Sequence, residues 1–250
     1  MTAQKIAVVT GASRGIGRAI AKRLAKDGLH VIAHFGASQK EAESLASEIR
    51  LEGGQISLVQ ADLGSVAGVD QLYAGVDAAL AKIGRAKFDV LVNNAGVADW
   101  APWTEMSEAA FDRQFAINVK ALFFSTRAAI ERINDGGRVI NISSIVADVA
   151  YPDILTYSAT KGAVNTLTLN FAQHLGTRGI TVNAVAPGAT RTDMSAWLND
   201  DAGAENAKSM QALKRVGEAD DISDVVSFFA GPDSRWVTGQ VVHVSGGCKL

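Results

Sequence analysis

Short apolar segments alternate with longer amphipathic segments along this chain, and that alternation limits the possible folds more than any other feature. Seven segments have the length and β-branched character of strands: Lys5–Thr10, Leu29–His34, Gln55–Gln60, Phe88–Val92, Arg138–Ser143, Gly179–Val185 and Gln240–Val244. Apolar residues recur at helical spacing between the early strands, over Ile16–Asp27, Gln39–Glu52 and Val66–Ile83. Strands separated by helices predict βαβ units. We therefore predict an α/β fold, a single domain over residues 1–250 built on a Rossmann-type doubly wound parallel sheet of about seven strands.

Two later segments, Glu108–Ile133 and Tyr157–Leu175, are also predicted to be helical, but their apolar residues extend beyond one face. A helix that is apolar most of the way round is usually buried on more than one side. Deep burial within the monomer and burial at a subunit interface both account for this pattern. The sequence favours the interface.

Composition and charge argue against several classes of protein. The net charge of -2 comes without a basic stripe, which argues against a nucleic-acid partner. Neither a signal peptide nor an apolar stretch long enough to span a membrane is present, and one cysteine suits a reducing compartment, so we expect a soluble, cytoplasmic protein. That cysteine, Cys248, is expected to be a loose-tail thiol without a role, with a reactive thiol as the alternative. The four histidines lack metal-ligand spacing, so we expect no metal site.

A glycine-rich turn, Thr10–Gly17, follows the first strand and opens the first helix. Glycines allow a phosphate close to the backbone, and the helix N-terminus behind them offers free N–H groups and a positive dipole end. The spacing G-x-x-x-G-x-G differs from both the common dinucleotide fingerprint and the P-loop. Its position still predicts a dinucleotide site, held by Gly11, Ser13, Arg14, Gly15, Ile16 and Gly17.

The end of the second strand indicates which dinucleotide binds. A site for NAD places a carboxylate there to bind the ribose hydroxyls, whereas the first carboxylate here is Glu41. This absence permits a 2′-phosphate, which Arg14 and Ser38 are placed to bind. The predicted cofactor is therefore NADP(H), although Arg14 also fits the description of a solvated loop charge.

Tyr157 and Lys161 lie four residues apart at the start of a predicted helix, so their side chains share one face. A cation near a phenol favours the phenolate and brings proton transfer closer to neutral pH. Ser144 follows a predicted strand, as do Asn93–Gly96 and Pro187–Gly188. Ligands of open α/β sheets bind at the carboxyl ends of the strands, so these groups are expected to meet there.

Together these features resemble the short-chain dehydrogenase/reductase family along the whole chain. The matching pieces are Thr10–Gly17, Asp62, Asn93–Gly96, Asn118, Ser144, Tyr157-x-x-x-Lys161 and Pro187-Gly188. The resemblance implies that Tyr157 is the general acid or base, that Lys161 lowers its pKa and holds the cofactor ribose, and that Ser144 binds the substrate oxygen. It also implies that Asn118 supports a water-linked proton path. The further cofactor residues that it implies are Asp62, Leu63, Asn93, Ala95, Gly96, Pro187, Gly188, Thr190 and Thr192.

The predicted activity is therefore NADP(H)-dependent interconversion of a ketone and a secondary alcohol, by an enzyme that the resemblance implies is a homotetramer. Three segments are expected to line the substrate pocket: Val97–Thr104 with Trp100 and Trp103, Ile145–Pro152 with Tyr151, and a lid near 188–213 with Met194, Trp197 and Leu198. Their aromatic residues suggest an apolar or aryl ketone, unless they pack within the protein.

Two alternatives remain open at the level of sequence. One is reduction of a 3-oxoacyl thioester on an acyl carrier protein, with Arg127, Arg132 and Arg178 available to meet an acidic carrier. The other is a cofactor-sensing protein without turnover. The complete set of Asn118, Ser144, Tyr157 and Lys161 argues against the second.

Overall fold

The computed structural model describes residues 4–249, so the outermost ends of the predicted domain (1–3 and 250) lie outside the described residues. One seven-stranded parallel sheet has the strand order β3-β2-β1-β4-β5-β6-β7. The strands are β1 (Ile6–Val9), β2 (His30–Phe35), β3 (Gln55–Gln60), β4 (Phe88–Asn93), β5 (Ile133–Ile142), β6 (Thr181–Pro187) and β7 (Val241–Val244). The predicted α/β class and doubly wound parallel sheet are confirmed.

The described part of the chain contains eight α-helices, most of which pack on the two faces of this sheet. They are α1 (Gly15–Lys26), α2 (Gln39–Leu51), α3 (Val66–Lys82), α4 (Glu108–Phe115), α5 (Leu122–Ala129), α6 (Leu155–Leu175), α7 (Asp201–Ser209) and α8 (Ala219–Ala230). The first core cluster packs α1, α2 and α8 on one face, and the second packs α3, α5 and α6 on the other. Because helices cover both faces of the sheet, every residue of β1 is apolar and buried.

The sheet reverses its winding between β1 and β4, which are hydrogen-bonded neighbours. Chain crossovers leave in opposite directions from this point, so the loops after β1 and β4 separate and open a crevice at the carboxyl ends of the strands. The glycine turn follows β1, and Asn94 follows β4. The topology therefore brings the predicted cofactor segments together.

The predicted helix over Glu108–Ile133 is wrong in two respects. A π-helical turn, Ala116–Ala121, separates α4 from α5, and α5 ends at Ala129. Ile133 instead begins β5, where it pairs with Phe88 and is buried. An apolar period alone does not distinguish a last helical turn from a buried strand residue, and the sheet neighbour decides.

Helix α8 is absent from the elements predicted above, although the chain carries a signal for it. Glu218 and Asp221 form a reciprocal capping box at its start. Ile222, Val226 and Phe229 follow at helical spacing, and all three are buried against the first core cluster. The cap and the period together would have predicted this helix.

The helices α4, α5 and α6 are not fully covered within the monomer. Phe111, Phe123 and Leu169 are all more than a third exposed. Deep burial inside one chain therefore does not account for these apolar residues.

No helix within residues 4–249 is long and apolar enough to cross a membrane. In the same range, no three potential metal-binding side chains group together.

Candidate active site

The glycine turn between β1 and α1 is shaped to admit a ligand next to the backbone. Gly11 has φ of +65° and Gly15 has φ of +53°, which a side chain would strain. A Cβ at Gly17 would lie 2.2 Å from the Gly11 carbonyl oxygen. Arg14 caps α1 without a side-chain hydrogen bond, so the N–H groups of the first turn remain available. The turn therefore fits a dinucleotide diphosphate.

Thr10 and Asn94 lock this turn to the end of β4. The Thr10 hydroxyl oxygen accepts hydrogen bonds from the backbone N–H groups of Asn94 (2.9 Å) and Ala95 (3.0 Å). The Asn94 side chain donates to the carbonyl oxygens of Thr10 (2.9 Å) and Gly11 (3.0 Å). Asn94 thus fixes the cleft floor, a role that the sequence analysis did not single out for it.

Asn93 lies elsewhere. Its amide is buried and donates to the Thr126 hydroxyl (3.0 Å) and to the Asn141 side-chain oxygen (2.9 Å). This network joins β4 to β5 and α5 in the interior of the domain. The Asn93 side chain does not line the cleft, so the structure gives no support to its predicted contact with the cofactor.

One continuous cavity of about 540 Å³ runs from the glycine turn to the lid. Most of the predicted site residues line it: Gly11, Ser13, Arg14, Gly15, Ile16, Gly17, Ser38, Ala95, Gly96, Ser144, Tyr157, Lys161, Pro187, Gly188, Thr190 and Thr192. Asp62 and Leu63 do not. The Asp62 carboxylate accepts from the Gly64 N–H beyond β3, and Leu63 is buried in the second core cluster. Adenine binding by Asp62 stays a prediction.

The end of β2 presents only small, uncharged residues to this cavity, Gly36, Ala37 and Ser38. Across the opening, the Arg14 guanidinium lies 3.2 Å from the Asp193 carboxylate in an ion pair that is mostly exposed. Such a pair contributes little and leaves Arg14 free to bind another anion. The surroundings fit a 2′-phosphate better than a pair of ribose hydroxyls.

His34, on β2, also supports the glycine turn and was missed by the sequence analysis. Its ring Nδ1 accepts from the Gly11 N–H at 3.1 Å, and its Nε2 lies 3.1 Å from the Ala61 carbonyl oxygen. The two contacts require a neutral ring that carries its proton on Nε2. Burial lowers the pKa of His34 and favours this neutral form.

Tyr157 and Lys161 lie on successive turns of α6, as their spacing predicts. The Lys161 Nζ is 5.4 Å from the centre of the Tyr157 ring and donates to the Ile142 carbonyl oxygen at 2.8 Å. Burial lowers the pKa of Lys161 to about 8. Burial also raises the pKa of Tyr157 to about 12, against an opposing effect of the Ser144 hydroxyl. Within the protein alone, desolvation of the Tyr157 phenol therefore outweighs the lowering of its pKa that was expected from Lys161.

Ser144 follows the end of β5 and completes the group with Tyr157 and Lys161. Besides facing the Tyr157 phenol, its hydroxyl makes two long contacts with the backbone: it donates to the Pro187 carbonyl oxygen at 3.5 Å and accepts from the Val146 N–H at 3.4 Å. Both distances lie at or beyond the usual range for such bonds. The Ser144 hydroxyl is therefore free to turn toward a substrate oxygen in the cleft.

Asn118 lies in the π-helical turn, a feature that often marks functional sites. Its Oδ1 accepts from the Val97 N–H (2.8 Å), and its Nδ2 donates to the Val97 carbonyl (2.8 Å) and to the Thr160 hydroxyl (3.1 Å). Asn118 therefore ties the loop after β4 to α6, next to Lys161. A proton path through Asn118 stays a prediction.

The substrate end of the cleft contains most of the predicted aromatic residues. Trp100 and Trp197 meet edge to face with their ring centres 6.4 Å apart, and Tyr151 and Met194 line the same cavity. Two predicted pocket residues lie elsewhere. Trp103 is 69% exposed outside the cavity, and Leu198 is buried in a small cluster formed mostly by residues of the lid segment (Gly188–Leu213) itself.

The expectation that Cys248 lies on a loose tail is wrong, whereas its lack of a role stays a prediction. Cys248 is buried and lines the cavity, because the C-terminal residues pair antiparallel with the end of the lid segment. The Leu213 N–H donates to the Gly246 carbonyl (2.8 Å), and the Lys249 N–H donates to the Met210 carbonyl (2.9 Å). This pairing spans distant parts of the chain, so tail position alone did not reveal it.

A nucleotide cradle at a topological switch point, with a tyrosine, lysine and serine at its far end, defines a dinucleotide-dependent oxidoreductase. The family model described as short chain dehydrogenase matches residues 5–203, and the chain belongs to that family. An uncharacterized oxidoreductase of Methylorubrum extorquens is 43% identical over 98% of both chains. The hydroxynaphthalene reductase-like protein Arp2 of Metarhizium brunneum is 38% identical, over 98% of this chain and 95% of the relative.

A solved structure is similar at the level of the whole fold. The angucycline C-6 ketoreductase LanV with bound NADP superposes with a TM-score of 0.95 at 42% identity, over 98% of this chain and 96% of that chain. The predicted class, an oxidoreductase of carbonyl and hydroxyl groups, is confirmed. The non-catalytic alternative is set aside.

Proposed function

We propose that this enzyme interconverts aryl ketones and their secondary alcohols with NADP(H), using Tyr157 to transfer the proton. One observation carries the proposal: Tyr157, Ser144 and Lys161 share a single cavity with the aromatic walls formed by Trp100 and Trp197. Relatives named for hydroxynaphthalene and angucycline substrates support an aromatic substrate. NADP(H) is favoured by the uncharged end of β2 and by Arg14 at the cleft.

The side chains have separate tasks in reduction. When bound, the nicotinamide cofactor supplies the hydride or takes it back. The Ser144 hydroxyl donates a hydrogen bond to the carbonyl oxygen, on which negative charge develops. The Tyr157 phenol, which burial keeps protonated, gives its proton to that oxygen. The Lys161 ammonium stabilises the phenolate that remains, and the same steps run backward in oxidation.

A 3-oxoacyl thioester on a carrier protein is less well supported. Two of the three arginines that were candidates for an acidic carrier are held by backbone carbonyl oxygens as well as by an ion pair. Arg132 pairs with Asp77 (2.8 Å) and donates to Ala128, and Arg178 pairs with Asp135 (2.7 Å) and donates to Ile130 and Ile133. Arg127 lies over the Phe124 ring on α5. No observation in the described residues favours the carrier over a free aryl ketone.

The decisive variant is Tyr157→Phe, assayed on bicyclic aryl ketones with NADPH and NADH. We expect kcat to fall by about a hundredfold or more, the usual contribution of a positioned general acid, with NADPH affinity little changed. Trp103→Phe is the matched control, since that aromatic residue lies outside the cavity. Unchanged turnover by Tyr157→Phe would exclude Tyr157 as the proton donor.

We also propose that the enzyme is a homotetramer assembled in part through α4, α5 and α6. An exposed groove on these helices has an apolar floor that includes Phe115, Phe123, Phe124, Ala163 and Leu167, and charges of both signs also line it, on Asp62, Asp112, Arg113 and Lys120. A second copy of the same chain presents the same apolar surface, which suits a symmetric interface. The partially exposed Phe111 and Phe123 support this assignment.

The proposed location is the cytoplasm. A single cysteine leaves no intrachain disulfide to maintain, which suits a reducing compartment.

A further inference from the structure

Gln211 is a buried side chain whose hydrogen-bonding groups are unused. It lies between α7 and α8, is only 3% exposed and lines the cavity. Within residues 4–249, neither its amide N–H₂ nor its carbonyl oxygen hydrogen-bonds to another group of the protein. Its two polar atoms are open to the cavity, because the fully buried side-chain atoms without a partner in this range are Asn93 Oδ1 and Ser158 Oγ. An amide that lines a cavity in this state is placed to bind a ligand.

Tyr151 presents a second group of this kind. The described contacts of its hydroxyl are two sulfur atoms, the Met210 Sδ at 3.8 Å and the Cys248 Sγ at 3.6 Å. Sulfur is a weak acceptor, so the phenol proton has no strong partner. The Lys249 Nζ, on the tail (residues 246–249) that pairs with the lid segment, lies 4.0 Å from the centre of the Tyr151 ring. Burial raises the pKa of Tyr151, which keeps it a neutral donor.

The fold brings these two groups to the same part of the cavity. Gln211 is bridged to Cys248 across the antiparallel pairing of the lid segment with the tail, and Cys248 contacts the Tyr151 hydroxyl. The surrounding walls are largely apolar: Trp100, Ile145, Ile154, Met194 and Trp197. A ligand oxygen that reached this region would find Tyr151 and Gln211 as its polar partners.

We infer that Tyr151 and Gln211 form a second recognition point that binds an oxygen of the substrate other than the one being reduced. The inference rests on the proposed function and narrows it. The preferred substrate is an aryl ketone that also carries a phenolic hydroxyl or a second carbonyl group. Gln211 provides both a donor and an acceptor, and Tyr151 provides a donor, so either kind of oxygen is satisfied.

The test compares 1-tetralone with its ring-hydroxylated derivatives, which differ from it by one phenolic oxygen. For the wild-type enzyme, we expect kcat/KM to be roughly threefold to tenfold higher for at least one hydroxylated derivative, as one or two added hydrogen bonds would give. Gln211→Met and Tyr151→Phe preserve the approximate shape of each side chain and remove the polar group. Each is expected to bring the ratio of the two kcat/KM values toward one.

The ratio separates recognition from general damage, because a variant that only disturbs the fold lowers both kcat/KM values together. Trp103→Leu, at an exposed position outside the cavity, is the control and should keep the wild-type ratio. A ratio near one in the wild type for every derivative, or an unchanged ratio in both variants, would overturn the inference while the proposed function stands. If the wild type reduces aliphatic ketones but no tetralone, the proposed substrate class fails first, and the inference fails with it.

Discussion

At the scale of single residues, burial sets the charge states on which the chemistry depends. Tyr157 and Lys161 are shifted in opposite directions, because desolvation disfavours the charged form of each. A neutral phenol is the form required for reduction. Lys161 loses its charge more readily than Tyr157 loses its proton, since the Lys161 pKa of about 8 lies close to physiological pH.

The pH profile of reduction should therefore reflect Lys161 and not Tyr157. The phenol stays protonated up to a pKa of about 12, whereas the ammonium is lost as pH rises through about 8. Without that charge the phenolate is less stable, so kcat should be level below this pH and fall above it. Lys161→Arg keeps a permanent charge, and whatever activity it retains should lack this fall. A break at the same pH in the variant would contradict the assignment.

His34 leads to a prediction about stability. Burial holds its pKa below the ordinary value of 6.5, so the unfolded chain takes up the proton first as pH falls. The contribution of neutral His34 to the free energy of unfolding is complete above about pH 6.5 and decreases below it. Urea denaturation at pH 7.5 and 5.5 measures this loss.

Two variants test whether His34 is the group that titrates. His34→Asn does not titrate and keeps an acceptor near the position of Nδ1 for the Gly11 N–H, so part of the acid-induced loss should disappear. His174→Asn, at an exposed position near the end of α6, should keep the wild-type pH dependence. If both variants behave like the wild type, His34 is not the group that titrates.

At the scale of elements, the glycine turn brings the first turn of α1, at Gly17, close to the backbone of Gly11 after β1. Gly17→Ala would place a Cβ 2.2 Å from the Gly11 oxygen and 2.4 Å from the Asn94 amide nitrogen, so the turn must shift. We expect NADPH affinity to fall at least tenfold and stability to drop by about 1–3 kcal/mol. Titration of NADPH fluorescence and a thermal melt measure the two effects.

Gly176→Ala is the matched control for that substitution. Gly176 has a helical φ of −59° and no atom within 4 Å of an added Cβ. The change should be neutral or slightly stabilising, because alanine restricts the unfolded chain. Equal loss of cofactor affinity in both variants would show that the clash at Gly17 is not the cause.

The sequence predicted most of the elements but not where the long helical segments are interrupted. The strands through β4 and the helices α1 to α3 lie close to their predicted limits, because their period and length are local properties. The π-helical turn at Asn118 and the start of β5 at Ile133 depend on contacts with Val97, Thr160 and Phe88. Those partners are distant in the chain, so local periodicity did not reveal them.

At the scale of the whole molecule, the apolar groove on α4, α5 and α6 predicts the assembly. Light scattering should give about four times the chain mass of 26.2 kDa. Phe123→Glu places a charge in the groove and should yield smaller species, since a buried unpaired charge is strongly unfavourable. Leu51→Glu, at an exposed position on the opposite face of the sheet, should leave the mass unchanged. A wild-type monomer would overturn the proposed tetramer.

The sequence by itself determined the fold class, the cofactor turn and the set formed by Ser144, Tyr157 and Lys161. Each of these depends on local spacing or on the rule that parallel strands end at one edge of a sheet. Tertiary structure alone decided that Asn94 and not Asn93 lines the cleft, that Cys248 is buried in it, and that Gln211 and Tyr151 line the same cavity. These outcomes depend on which segments pack together across the molecule, and the energies of such contacts are not properties of any single stretch of the chain.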